Sequence, residues 1–167
     1  YGRPTTEVAA PEEVLQRLSG SLPEAMIDYW RRYGFSVFLD GYFQLVNPET
    51  YAPALAEWLK DTDLESKDKY HVISRSFLGD LRVWGEATGR DFTIEPVQDA
   101  ILLKSENDAA GIAKGQHNKW AEDALFRLDT LEKYRELTAL GFTDAVRSFD
   151  QSDGVYTFWD YQAGAWQ

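Results

Sequence analysis

Four short apolar runs in close succession, YHVISRSF, DLRVWGEA, DFTIEP and AILLK, set the tightest limit on what this chain can become. They are separated by Gly79-Asp80, Thr88-Gly89-Arg90 and Pro96, which are turn signals. Links this short join antiparallel neighbours, because a parallel pair needs a long crossover. The stretch from Tyr70 to Lys104 is therefore expected to fold as an antiparallel meander.

The segments before it read differently. Residues 1–10 have no period and read as a loose lead-in. Pro11 with EEVLQRLSG reads as a first helix, with acids in its first turn and Gly20 at its end. SLPEAMIDYWRRYG reads as a second helix, with Ser21 as its cap and Met26, Ile27, Tyr29, Trp30 and Tyr33 at helical spacing. After Gly34 the period changes to that of strands, and FSVFLDGYFQLVNPETY carries an Asp40-Gly41 turn signal between two strand-like runs. Asn47-Pro48 opens a short helix, ETYAPALAEWLKDTD, expected to be interrupted or capped around Pro53. DTDLESKDK reads as an exposed loop. Residues 105–117 are rich in small and polar types and read as a linker. KWAEDALFRLDTLEKYRELTALG reads as helical, and the aromatic stretch YTFWDYQAGAWQ follows it. The expected fold is α+β: N-terminal helices, an antiparallel meander sheet, and a C-terminal helix with an aromatic tail.

Chemistry is harder to find than structure. The 167 residues contain no cysteine, which removes disulfides, thiolate nucleophiles and Cys-ligated zinc. With only His71 and His117, a multi-histidine metal site is not expected. The carboxylate pairs Asp61/Asp63 and Glu106/Asp108 lie in polar loops, where solvation leaves their pKa values unsuited to acid–base work. His71 alternates with apolar neighbours, without an orienting acid evident from the sequence, and reads as structural. Trp30, Trp58 and Trp84 lie on patterned segments and read as core. No nucleophile elbow, phosphate loop or dinucleotide fingerprint occurs. The expectation is a binding protein, not an enzyme, that needs no cofactor.

Charge narrows the partner. The net charge is −11, spread as seven acids against four bases in residues 1–50, ten against six in 51–100, and eleven against seven in 101–167. Such a surface repels nucleic acid and anionic membranes and attracts basic proteins. No apolar run approaches the roughly 20 residues that span a bilayer, and no signal-peptide pattern opens the chain. A cytoplasmic protein is the expectation.

Two resemblances sharpen this. Over about residues 21–104, the ordered series LPEAMIDYWRRYGF, DGYFQLVNPETY, EWL and HVISRSFLGDLRVWGEATG resembles the GAD-like domain family, whose members occur as bacterial type VI secretion immunity proteins. That resemblance implies an antidote that binds and neutralises a cognate antibacterial toxin, a basic nuclease, in the producing cell. Over about residues 118–167, LGFTDAVR and YTFWDYQAGAWQ resemble a late segment of the exonuclease III family of DNA-repair nucleases. The family's metal-binding and catalytic residues have no counterpart here, so the segment is expected to be non-catalytic and to pack against the main domain. A DNA-repair enzyme, or a fragment of one, is the alternative reading.

The organisation expected is thus a lead-in and helix over 1–20, a GAD-like domain over 21–104, a linker over 105–117 and the exonuclease-like segment over 118–167. Under the immunity reading, the acidic loop residues Asp61, Asp63, Glu65 and Asp68 are the first candidates for touching the basic toxin. The hairpin acids Asp80 and Glu86 come second.

Overall fold

The computed structural model describes residues 2–90, 92–104 and 109–125, together with 135, 136 and 139. The first helix, α1 (Glu12–Leu18), starts behind Pro11 with Glu12 and Glu13 in its first turn and Arg17 in its last, so its charges complement the helix dipole. It buries Val14, Leu15 and Leu18. The second, α2 (Glu24–Tyr33), begins behind Pro23 and not at Ser21, and Pro23 offers no side-chain cap. The Ala25 N–H in its first turn instead donates to Asn118 Oδ1 at 3.1 Å, a partner 93 residues away. Met26, Ile27 and Trp30 form its buried face.

Residues 5–8 are not the loose lead-in expected. They lie beside β1 (Val37–Phe38): the Val37 N–H donates to the Thr6 carbonyl at 2.9 Å and the Phe35 N–H to that of Val8 at 2.8 Å. The Val8 N–H donates to the buried Ser36 hydroxyl at 2.9 Å. Because these ties run through the backbone, no side-chain period announced them. β1 turns into β2 (Phe43–Leu45) through a loop in which Leu39, Asp40 and Gly41 all have positive φ, and Phe38 faces Phe43 across the pair. The Asp40-Gly41 turn signal marks this loop.

Helix α3 (Pro48–Leu59) is capped by the Asn47 side chain, which accepts the Glu49 N–H at 3.0 Å. It runs unbroken through Pro53, contrary to the interruption expected there. The proline removes one helical hydrogen bond. Burial of Ala54, Leu55 and Leu59 just beyond it keeps the helix in one piece.

The meander follows as expected: β3 (Tyr70–Ser76), β4 (Leu81–Gly85), β5 (Phe92–Glu95) and β6 (Ala100–Leu103). Among the described residues, six strands pair antiparallel in the order β1-β2-β3-β4-β5-β6. The sheet is covered on both faces. Val46, Leu55, Leu59, Val72, Val83 and Ile94 belong to the core under α3. Leu15, Ile27, Trp30, Phe43, Ile73 and Trp84 belong to the core under α1 and α2. Trp30 and Trp84 are fully buried, whereas Trp58 is only partly so.

One irregularity joins these layers. Val72 pairs with Val83, but Ser74 pairs with Arg82, so two steps along β3 match one along β4. The extra residue is Ile73, a β-bulge. Val72 lies under α3, and Ile73, next along the strand, reaches the α1–α2 core by ordinary alternation. The bulge reverses the phase of β3 from Ser74 onward, so that Ser74 faces Arg82.

The expectation of a linker over 105–117 fails for its described part. Residues 109–112 form a short helix, α4 (Ala109–Ile112), and Ile112 is buried in the α1–α2 core. Gly111 sits against the Trp120 indole so closely that a Cβ would collide with it. α5 (His117–Leu125) then lays Ala121, Ala124 and Leu125 into the same core. The rest of the helix expected to Leu140, together with Glu106 and Asp108, lies outside the described residues, apart from the isolated positions 135, 136 and 139. The aromatic stretch lies wholly outside them. Among the described residues, no helix is long and apolar enough to cross a membrane.

Gly34 is the tightest backbone approach in the N-terminal half. It ends α2 with φ of 66°, and a Cβ there would strike the Val8 carbonyl oxygen. Gly34→Ala is expected to lower stability by about 2 kcal/mol or more, since left-handed strain costs 1–3 kcal/mol before any clash. Chemical denaturation would show a lower midpoint with an unchanged slope.

Candidate functional site

The six acids singled out by the sequence fall into three settings. The turn after α3 carries Asp61, Asp63 and Glu65, all exposed. Leu64, buried in the core under α3, anchors this turn. Asp61 takes a left-handed φ of 60°, which aspartate tolerates better than most residues. Its N–H donates to the Glu65 carboxylate at 3.1 Å. The geometry displays three carboxylates on one anchored turn.

Asp68 is half-buried and does a different job. Its carboxylate accepts the N–H of Ala87 at 2.9 Å, the N–H of Thr88 at 2.8 Å and the Thr88 hydroxyl at 2.7 Å. It thereby closes the turn between β4 and β5 from the start of β3. Gly85 leaves the room for this, because a Cβ there would collide with both the Asp68 carboxylate and the Thr88 hydroxyl.

Glu86, next to that turn, meets two side-chain nitrogens. His71 Nε2 lies 2.9 Å from its carboxylate and Lys69 Nζ lies 3.0 Å from it. Partial burial pushes the Glu86 carboxyl up, but the hydrogen bonds from His71 and Lys69 and their charges outweigh it and hold the group below its ordinary value. The His71 side chain is 11% exposed, so this contact is largely screened from water.

Asp80 stands at the other end of β4. The Ser76 hydroxyl donates to its carboxylate at 2.9 Å, and its own N–H donates to the Ser76 hydroxyl oxygen at 3.1 Å, closing the β3–β4 turn. Six residues of extended chain separate it from Glu86, roughly 20 Å. The hairpin acids therefore form no single patch. Asp68 and Glu86 share one end of the sheet.

The link between His71 and Glu86 was beyond the sequence reading. A regular hairpin closing Arg75 on Leu81 would set His71 opposite Gly85. The bulge moves it opposite Trp84, within reach of Glu86. Only the alternation of apolar residues pointed to His71 as structural, and that signal contains no register. Among the described residues, no group of three or more His, Asp or Glu side chains is placed to hold a metal ion.

Comparison with known proteins adds two findings. The family model described as GAD-like domain matches residues 1–98. The match starts at residue 1, not at 21, in keeping with the pairing of residues 5–8 to β1. The crystal structure of Atu4351 from Agrobacterium tumefaciens has a similar fold, with a TM-score of 0.53 at 21% identity. The similarity covers 89% of this chain and 57% of that one, so this chain spans little more than half of that protein's length. No curated protein matches in sequence.

Two outcomes test this geometry. Asp68→Ala leaves the Ala87 and Thr88 donors without their carboxylate and is expected to cost about 2–3 kcal/mol, read by thermal or chemical unfolding. Glu86→Gln should alter the pH profile of stability. A carboxyl held below its ordinary value of 4.5 stabilises the fold above that pH, and the gain is lost as pH falls through the folded value. The variant is expected to be less stable at neutral pH and to lose less on acidification, seen in unfolding curves from pH 7 to pH 3.

Proposed function

The chain belongs to the GAD-like domain family, and from that premise we propose that it is an immunity protein of antitoxin type. It binds a cognate type VI secreted antibacterial toxin, a basic nuclease, and neutralises it by covering its active or DNA-binding surface. The family match over residues 1–98 carries the reading.

Physical features support it. A net charge of −11 attracts a basic protein over distances beyond contact and raises the association rate, which matters when a toxin must be caught before it acts. A nuclease recognises phosphates, and exposed carboxylates offer charges of the same sign. The turn bearing Asp61, Asp63 and Glu65 is the first contact surface, because those carboxylates are exposed and Leu64 anchors the backbone between them. Asp68, Asp80 and Glu86 are engaged in closing turns or holding His71, so they contribute mainly to the local field. The protein acts in the cytoplasm of the toxin-producing cell and uses neither cofactor nor catalysis.

Co-expression with the product of the neighbouring toxin gene tests the proposal. Capture of that product and protection of the cells support it; absence of both overturns it. Within this reading, joint replacement Asp61→Lys, Asp63→Lys and Glu65→Lys is expected to slow association about tenfold or more at low salt and to flatten its dependence on ionic strength. Stopped-flow kinetics at several salt concentrations would show this, and unchanged rates would remove the turn from the interface.

A further inference from the structure

The two edges of the sheet are finished differently. At one edge the lead-in covers β1: the Thr5 N–H donates to the Val37 carbonyl at 2.8 Å, and the Val37 N–H donates to that of Thr6 at 2.9 Å. β6 forms the other edge, and among the described residues nothing pairs with its outer side. Half of the backbone donors and acceptors of an edge strand point away from the sheet, which makes it a template for a further strand. Natural edges are blunted by charge, proline or a bulge. β6 reads AILL and contains no charge or proline, and its four pairs with β5 run in unbroken register.

Its side chains are equally unfinished. Among the described residues, three of the large apolar side chains left exposed lie here: Leu102 at 47%, Leu103 at 66%, and Val97 at 64% in the turn Pro96–Gln98 that leads into the strand. Phe92 and Ile94 of β5 lie in the core under α3, and they pair with Leu103 and Ile101. Directly paired residues share a face of the sheet, so Ile101 and Leu103 carry that core out to the edge. Leu102, opposite Thr93, stands on the other face.

We propose that β6 pairs antiparallel with β6 of a second copy of this chain, about a twofold axis beside Leu102. An axis normal to the sheet keeps each face continuous, so residues opposed across it come from the same face of both copies. Centred on Leu102, the pairing sets Leu102 against Leu102 of the second copy on one face. On the other it sets Ile101 against Leu103, twice. Charge also matches at the ends. Lys104 comes opposite Ala100 of the second copy, whose partner on β5 is Glu95. The small Ala100 leaves the lysine in line with that carboxylate, once on each side of the axis. A foreign charged strand would find no charge on β6 to match, whereas a second copy matches it on both faces. The −11 charge of each copy opposes association only at long range, and physiological salt screens it beyond about 8 Å. Only four residues pair, so the association is weak and concentration-dependent. It is independent of the toxin reading.

Sedimentation equilibrium of the full chain over a range of concentrations tests the contact, and a reversible monomer–dimer equilibrium is expected. Leu102→Lys and Leu102→Asp alter an exposed side chain, and circular dichroism would verify that both variants keep the fold. Each alone removes an apolar contact and opposes like charges at the axis, so each is expected to weaken association about tenfold or more. Mixed in equal amounts, the two variants bring opposite charges together at the axis and are expected to recover association that neither shows alone. A contact away from the axis cannot produce that rescue. A monomer at every concentration would overturn the proposal, and hydrogen-exchange protection of the β6 amides in that monomer would assign the edge to another part of the chain. A dimer that neither variant weakens, or that the mixture fails to restore, would overturn it as well.

Discussion

Everything in this fold depends on β3 and β4 being buried from both sides. A strand pair covered on one face needs apolar residues only at alternate positions, but here both faces must be filled. Val72 and Val83 pack under α3, while Ile73 and Trp84 pack under α1 and α2. Two-sided burial of an antiparallel pair is less common than burial of one face. Ordinary alternation of adjacent residues, Val72 beside Ile73 and Val83 beside Trp84, delivers apolar side chains to both layers, and the Ile73 bulge then offsets the register of the two halves of the hairpin. The placing of His71 beside Glu86 and of Ser74 opposite Arg82 follows from that single step of register.

The ends of the sheet are closed by polar groups, and this decides what the acids are for. An aspartate at the start of β3 accepts the donors of the β4–β5 turn, and another at the start of β4 closes the β3–β4 turn with Ser76. Carboxylates that accept several hydrogen bonds from the chain serve the fold first. The turn after α3 is organised differently, with an apolar anchor at Leu64 and its acids displayed outward. Charge alone does not separate these roles; each depends on which backbone donors lie within reach.

Much of the architecture was legible in the chain. The turn signals at Gly79-Asp80, Thr88-Gly89-Arg90 and Pro96 marked the meander, because turn chemistry is local. Met26, Ile27 and Trp30 marked the buried face of α2 for the same reason. Misreadings arose where a distant group supplied what a local signal lacked. Residues 5–8 have no apolar period, yet backbone bonds to Val37 and Phe35 hold them. Pro53 should stop a helix, yet the burial around Leu55 and Leu59 carries α3 through it. Residues 109–117 have a linker's composition, yet Ile112 finds the core. Of the candidate site, the exposed acids were visible, but not the commitment of Asp68, Asp80 and Glu86 to internal partners.

The sequence by itself determined the α+β class, the antiparallel meander, the acidic character and the motifs of the GAD-like domain, since each rests on residue type and short-range spacing. Tertiary structure alone decided the bulge in β3, the pairing of His71 with Glu86 and the capping of Ala25 by Asn118. The reason is physical. A strand's alternation specifies two faces but not its register against a neighbour, and register is settled only when both cores are packed at once.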